Sequence, residues 1–291
     1  MPGAGHPGLA WLAGSRAGTA WLEDLPRLVA ECAEEWSLTL GAPYPYAHTA
    51  LSLPAVRADG SLAVLKVGFP DRESQYEADA LARWGGEGAV RLLSRDQRRH
   101  ALLLERCVPG TPLTDAGPDE ALEVLAGLVE RLAVPAGPPF TTLEEEAAGW
   151  AERLPTNWER AGRPCSWELV DAALAHLSGL GATQGAMVLV HQDLHSGNVL
   201  ASGRERWLVI DPKPLVGELE FTVSPIVRDA ALGHRPELVT ARLDRLVGAL
   251  GLDAERARGW ALAQAVAWGF DGSGAARTNL DVASWLISPE R

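Results

Sequence analysis

Within Val188–Lys213, VLVHQDLHSGNVLASGRERWLVIDPK, three side chains are of kinds that packing alone does not require. Asp193 and Asn198 share the run His191-Gln192-Asp193-Leu194-His195-Ser196-Gly197-Asn198, and Asp211 closes the apolar run Trp207–Ile210. Phosphoryl transfer from a nucleoside triphosphate needs one carboxylate beside the acceptor hydroxyl and two hard oxygen donors for Mg²⁺. On this reading Asp193 orients the hydroxyl and accepts its proton, while Asn198 and Asp211 hold the metal. His191 and His195 raise the competing idea of a transition-metal site. Their spacing converges only on a helix, whereas Gly197 and the flanking apolar segments Met187–Val190 and Val199–Leu200 point to a loop, and further Cys or His ligands are missing nearby. His191 is expected to support the loop by hydrogen bonding, and His195 to do the same or to border the acceptor.

Lys66 and Lys213 are the only lysines among 26 Lys+Arg. A position that keeps lysine in so arginine-rich a chain suits a compact ammonium better than a planar guanidinium. Lys66 lies in Ala63-Val64-Leu65-Lys66-Val67, and a charge inside so apolar a strand must reach water or a partner. It is either a lysine on a solvent face or the residue that grips triphosphate oxygens. Glu77 is the best candidate to pair with it, with Glu73 and Asp79 as competitors. Lys213 could touch phosphate or acceptor, or pair with Glu218 or Glu220.

The elements that must position these groups follow from pattern. Ala50–Val56 and Leu62–Gly68 predict a hairpin around Asp59-Gly60, with Pro54 marking the first strand as an edge. Helices are predicted over Leu22–Trp36 and Asp71–Trp84, the latter capped by Asp71. Strands Val90–Leu93 and Ala101–Arg106 follow, and Cys107-Val108-Pro109-Gly110 ends the sheet. In a two-lobed kinase such a connector offers backbone groups to adenine, here the carbonyl of Glu105 and the amide of Cys107. The second half reads as helical over Pro118–Leu132, Leu143–Arg153, Trp167–Leu180, Thr222–Leu232, Pro236–Leu250, Ala254–Phe270 and Leu280–Ile287, with Pro135–Pro139 and Pro155 as breakers. Trp260, Trp268 and Trp285 on these helices read as core. The expected division is residues 1–107, β-rich, and 108–291, helical.

A chain of 291 residues suffices for two lobes with a sizeable core. The net charge of −12 argues against a nucleic-acid partner and suits a cationic substrate. Cys32, Cys107 and Cys165 match neither a zinc spacing nor a disulfide framework. No apolar run is long enough to span a bilayer, and Met1–Ala10 lacks a signal peptide's pattern, so a cytoplasmic protein without membrane association is expected.

HQDLHSGNVL followed by WLVIDPKPLVGELEF resembles the aminoglycoside phosphotransferases, and within them the streptomycin 6-phosphotransferase/hydroxyurea phosphotransferase branch. AVLKV, YEADALARW, AVRLL and ALLLERCVPGTPL resemble that branch's upstream blocks in the same order, and the likeness covers roughly residues 50–290. It implies an α+β, two-lobed protein-kinase-like fold, with a small antiparallel β lobe, a larger mainly α-helical lobe, and ATP with Mg²⁺ between them. It also implies Asp193 as the catalytic aspartate, Asn198 and Asp211 as metal ligands, and Lys66 with Glu77 as the nucleotide-holding pair. Two features depart from the pattern. Gln192 stands where many members have glycine, and Tyr44–Leu53 has no glycine for a phosphate flap. The acceptor implied is a cationic antibiotic such as streptomycin, with Glu220, Asp229 and Asp271 as candidate contacts from position alone. Hydroxyurea or another alcohol is the alternative acceptor. A non-catalytic nucleotide-binding regulator would be expected to lack one of Lys66, Asp193, Asn198 or Asp211, and all four are present.

Overall fold

Apolar residues at helical spacing between Trp21 and Cys32 need a partner surface, and a twisted antiparallel sheet provides it. The computed structural model describes residues 6–271 and 274–287, and the chain divides into two units, Met1–Gly110 and Thr111–Arg291. In the first, α1 (Arg16–Glu35) begins at Ser15, whose Oγ accepts from the Gly18 N–H at 3.0 Å. It therefore starts earlier than the apolar stripe alone suggested and runs through Pro26. Then come β1 (Thr39–Leu40), β2 (Ala50–Val56) and β3 (Leu62–Gly68). The hairpin has the expected strand limits, and Gly60 at φ 82° supplies the left-handed turn residue.

Period two decides which way each side chain faces. Leu51, Leu53, Leu65 and Val67 join Leu25, Leu28, Val29 and Cys32 of α1 in one buried cluster. Lys66, between Leu65 and Val67, must then face the other side of the sheet. That side receives α2 (Glu77–Trp84), followed by β4 (Leu92–Asp96) and β5 (Ala101–Glu105). The sheet order is β1-β2-β3-β5-β4, antiparallel throughout. Pro54 is thus not on an edge strand. The short β1 covers that flank at Ala55 and Val56 only, and Pro54 contributes its carbonyl to the Gly41 N–H at 2.8 Å. The helix expected from Asp71 begins only at Glu77, because Asp71 Oδ1 accepts from the Glu73 and Ser74 amides and closes a separate turn.

A short strand, β6 (Pro109–Pro112), spans the division. The second unit then has α3 (Pro118–Leu132), α4 (Leu143–Arg160) and α5 (Trp167–Gly181). Pro155 does not break α4, whose start is fixed by a capping box between Thr142 and Glu145. Two antiparallel pairs follow, formed by β7 (Val188–His191), β8 (Val199–Ser202), β9 (Trp207–Val209) and β10 (Pro214–Gly217), with β7 pairing β10 and β8 pairing β9. The helix expected over Thr222–Leu232 is instead α6 (Ser224–Val227) between two 3₁₀ turns, with Pro225 in its first turn. The chain continues through α7 (Pro236–Leu250), α8 (Ala254–Ala267), the short strands β11 (Phe270–Asp271) and β12 (Gly274–Ala275), and α9 (Arg277–Leu286).

Phe221 centres this core, 5.5 Å from the Trp260 ring and 6.1 Å from Trp150. Glu218, 2 % exposed, sits beside it and is neutralised by Arg256 at 2.8 Å, with further hydrogen bonds from Trp260 Nε1 and the Gly185 N–H. Among the described residues no helix is long and apolar enough to cross a membrane.

Candidate active site

The loop from His191 to Asn198 is fixed by its own backbone. His191 Nδ1 accepts from the Asp193 N–H at 3.1 Å, and Nε2 faces the Ile210 carbonyl at 3.5 Å. Burial pushes the imidazole down to about 4, so it is neutral, with both nitrogens committed to the loop and neither available to a metal. His195 Nδ1 accepts from the Gly197 N–H at 3.1 Å. A Cβ on Gly197 would lie 2.9 Å from the same ring, so a larger residue there would have to displace the imidazole. Gln192 is buried, its carbonyl held by Gln264 Nε2 at 2.8 Å.

Asn198 donates Nδ2–H to the Asp193 carbonyl at 3.0 Å, which leaves Oδ1 as the side-chain atom that could hold a metal. Its own carbonyl accepts from the Ile210 N–H at 2.9 Å, extending the Val199–Val209 pairing and bringing Asn198 beside Asp211. Asp211 is left-handed at φ 53°, a conformation that costs a residue with a Cβ about 1 kcal/mol and that aspartate tolerates better than most. Among the described residues no three of His, Cys, Asp and Glu gather as a metal cluster. One carboxylate and one amide oxygen are too few and too hard for zinc. They suit Mg²⁺, whose remaining positions phosphate oxygens and water can fill.

Asp193 is the most heavily partnered residue of the loop. Its Oδ1 accepts from Arg228 at 2.8 Å, Lys213 Nζ lies 3.2 Å from Oδ2, and His195 Nε2 is 4.0 Å away. Burial raises this carboxyl, but the charges of Lys213 and Arg228 outweigh it and hold it below the ordinary aspartate range. Arg228 and Lys213 both lie over the Trp268 ring, at 4.4 and 4.9 Å from its centroid. Lys213 therefore pairs with Asp193 and not with Glu218 or Glu220. Trp268 is a platform for two cations, not simply core. Arg228 and Gln264 were not foreseen, because neither belongs to any periodic or spaced motif. For Lys213 the scarcity of lysine was the clue.

Asp229 is engaged within the protein. Its Oδ2 accepts from the Ser196 N–H and Oγ at 2.8 and 2.6 Å, and its Oδ1 from the Ala231 N–H at 3.0 Å. It clamps the loop and is poorly placed to bind an acceptor cation. Asp229→Ala is expected to lower stability by about 2 kcal/mol, read by urea unfolding, as charge-assisted bonds to a partly buried carboxylate are lost. Glu220 lies beyond the far end of β10, since Pro214 pairs with His191 and Gly217 with Val188. There it lines a cavity of about 450 Å³ with Thr183, Asp253 and Arg256, away from Asp193. The side chain of Asp271 lies outside the described residues.

In the first unit, Lys66 Nζ donates to both Glu77 oxygens, at 2.7 and 2.6 Å, with the two residues 9 % and 3 % exposed. Glu77 heads α2, where its charge also meets the positive end of the helix. Asp79 pairs instead with Arg95 at 2.9 Å. Glu105 ends β5, its N–H donating to the Arg91 carbonyl and its Oε2 accepting from the Arg91 N–H. Cys107 is buried just beyond it.

A small antiparallel sheet, a larger helical unit and this loop define the class, a small-molecule kinase with a protein-kinase-like fold. The crystal structure of aminoglycoside phosphotransferase APH(4)-Ia matches with a TM-score of 0.61 at 19% identity, over 90% of this chain and 95% of that one. The chain belongs to the aminoglycoside/hydroxyurea antibiotic resistance kinase family, whose model matches residues 35–275. It is 42% identical over 257 residues to the hydroxyurea phosphotransferase of Kitasatospora aureofaciens, covering 87% of this chain and 74% of that protein. It is 38% identical over 258 residues to the streptomycin 6-kinase of Streptomyces griseus, covering 86% and 84%.

Proposed function

We propose that this protein transfers the γ-phosphoryl group of ATP to a hydroxyl of a small cationic antibiotic, streptomycin, and so inactivates it in the cytoplasm. The observation that carries this reading is that Asp193 and Asn198 are tied into the loop after β7, while Asp211 follows β9, which the β8–β9 pairing and the Ile210 N–H to Asn198 carbonyl bond return to the Asn198 end of that loop. Asp193 accepts the hydroxyl proton. Asn198 Oδ1 and the Asp211 carboxylate hold Mg²⁺, which when bound neutralises and orients the phosphates. Lys66, steadied by Glu77, grips phosphate oxygens, and the Glu105 carbonyl and Cys107 amide meet the adenine edge. Nucleotide use is supported by a relative of the same fold, a thermostable mutant of APH(4)-Ia seen in ternary complex with ADP and hygromycin B. The acidic net charge and the streptomycin 6-kinase relatives support a cationic acceptor.

Hydroxyurea is the second reading. It is favoured by the 42% identity to a hydroxyurea phosphotransferase, and by Lys213 and Arg228 beside Asp193, which suit an uncharged acceptor at that point. Purified protein with Mg·ATP and a panel including streptomycin and hydroxyurea is expected to give one acceptor the mass gain of a single phosphoryl group. Relative kcat/KM in competition then ranks the two. A panel in which no compound gains that mass refutes the assignment.

A further inference from the structure

Two cations meet one carboxylate at Asp193, and they are held in different ways. Arg228 is braced, its Nε facing Gln264 Oε1 at 3.4 Å, its terminal nitrogen on Asp193, and its plane on Trp268. Lys213 is fixed at its backbone, where its carbonyl accepts from the Gln192 N–H at 3.1 Å, but its ammonium rides on a flexible stem over the same ring. Arg228 alone would neutralise and orient Asp193. Lys213 brings a second positive charge to the same carboxylate at 3.2 Å, more than orienting it requires, and so sets an ammonium beside the point where the acceptor hydroxyl meets Asp193.

We propose that Lys213 is a catalytic residue that contacts the phosphoryl group in flight; this inference rests on the kinase reading above. The hydroxyl oxygen forms a bond to the γ-phosphorus as the bond from that phosphorus to the departing nucleoside diphosphate breaks, the electron pair leaving with the diphosphate. The hydroxyl proton passes to Asp193. At that moment the carboxylate loses its hold on Lys213 just as negative charge gathers on the phosphoryl oxygens beside it, so the ammonium follows the charge. A point charge on a jointed stem can make that move and a braced guanidinium cannot, which accounts for a lysine here in a chain with only one other lysine.

The test compares Lys213→Met, Lys213→Gln and Lys213→Arg with the unaltered full chain, using Mg·ATP and the acceptor it phosphorylates. Lys213→Met is expected to lower kcat by about a hundredfold or more, as loss of one transition-state donor does. Its Kd for a non-hydrolysable ATP analogue is expected to stay within about threefold, since the contact forms only in the transition state. Lys213→Arg should recover about tenfold of the lost kcat, because it restores the charge but not its mobility. Lys213→Gln, which keeps a hydrogen bond to Asp193, decides the matter if the methionine variant does not fold, and should fall as far. A glutamine or methionine variant that folds and keeps kcat within about threefold overturns the proposal, as does a loss of nucleotide affinity equal to the loss of kcat. In either case the unaltered protein still phosphorylates its acceptor, so the kinase reading stands. Failure of the unaltered protein to phosphorylate any acceptor removes that reading and this proposal with it.

Discussion

Asp193→Ala is expected to lower kcat for phosphoryl transfer by about 10²–10⁴-fold, the range over which a positioned general base contributes. The geometry adds a second effect. The carboxylate faces Arg228 at 2.8 Å and Lys213 at 3.2 Å, both over Trp268. Without it two like charges share one aromatic face, and the alanine variant should also unfold at a lower temperature than the unaltered protein. Asp193→Asn separates the two consequences. An amide oxygen still accepts from Arg228, so much of the stability returns, while an amide cannot take a proton and activity stays low. The readouts are steady-state phosphorylation of the acceptor and thermal unfolding of the same samples. An alanine variant with undiminished turnover would remove Asp193 as the base.

The largest stability effect is expected at the Lys66–Glu77 pair. Both residues are buried, so Glu77→Ala takes away the carboxylate that holds the Lys66 ammonium at 2.7 and 2.6 Å and should cost about 3–5 kcal/mol. The double substitution Lys66→Met with Glu77→Leu removes both charges together. It should be more stable than the Glu77→Ala single variant, and close to the unaltered protein, because two desolvated charges give way to apolar contacts of similar volume. Stability and function then part company. The double variant has no ammonium for phosphate oxygens, and its nucleotide affinity should fall by roughly tenfold to a hundredfold, as loss of a charged hydrogen bond predicts. Urea unfolding and nucleotide titration of the two variants form the test. A double variant less stable than Glu77→Ala would show that the pair is a net source of stability, contrary to this expectation.

What could be read from the sequence, and what could not, follows the range of the forces involved. The hairpin of β2 and β3 was readable to the residue because alternation and an Asp-Gly turn are local. Lys66 and Glu77 were readable as a pair because one apolar strand leaves its charge a single way out. α2 was misjudged by six residues because Asp71 caps a turn as readily as a helix. Pro155 misled because it sits inside α4 without ending it, and Pro54 because it falls just outside the two-residue pairing of β1 with Ala55 and Val56. Around Asp193 the loop itself was legible, being one short segment. Arg228, Gln264 and Trp268 reach it from 35 to 75 residues away, and nothing local in their sequence marks them. Asp229 and Glu220 were chosen for their charge, which says nothing of whether a carboxylate is already engaged, as Asp229 is with Ser196, or at which end of a strand it lies, as with Glu220.

The two lysines carry a practical consequence. Lys66 and Lys213 are the only side-chain amines in the chain, and each stands in an ion pair, with 11 % and 21 % of its side chain exposed. An amine-directed acylating reagent therefore finds no ordinary surface lysines to consume it, and every side chain it modifies belongs to one of two ion pairs. Protection of Lys66 and of Lys213 can be followed separately by peptide mass, since the two fall in different units. The arginine bias thus turns a generic labelling chemistry into a footprint of two defined positions.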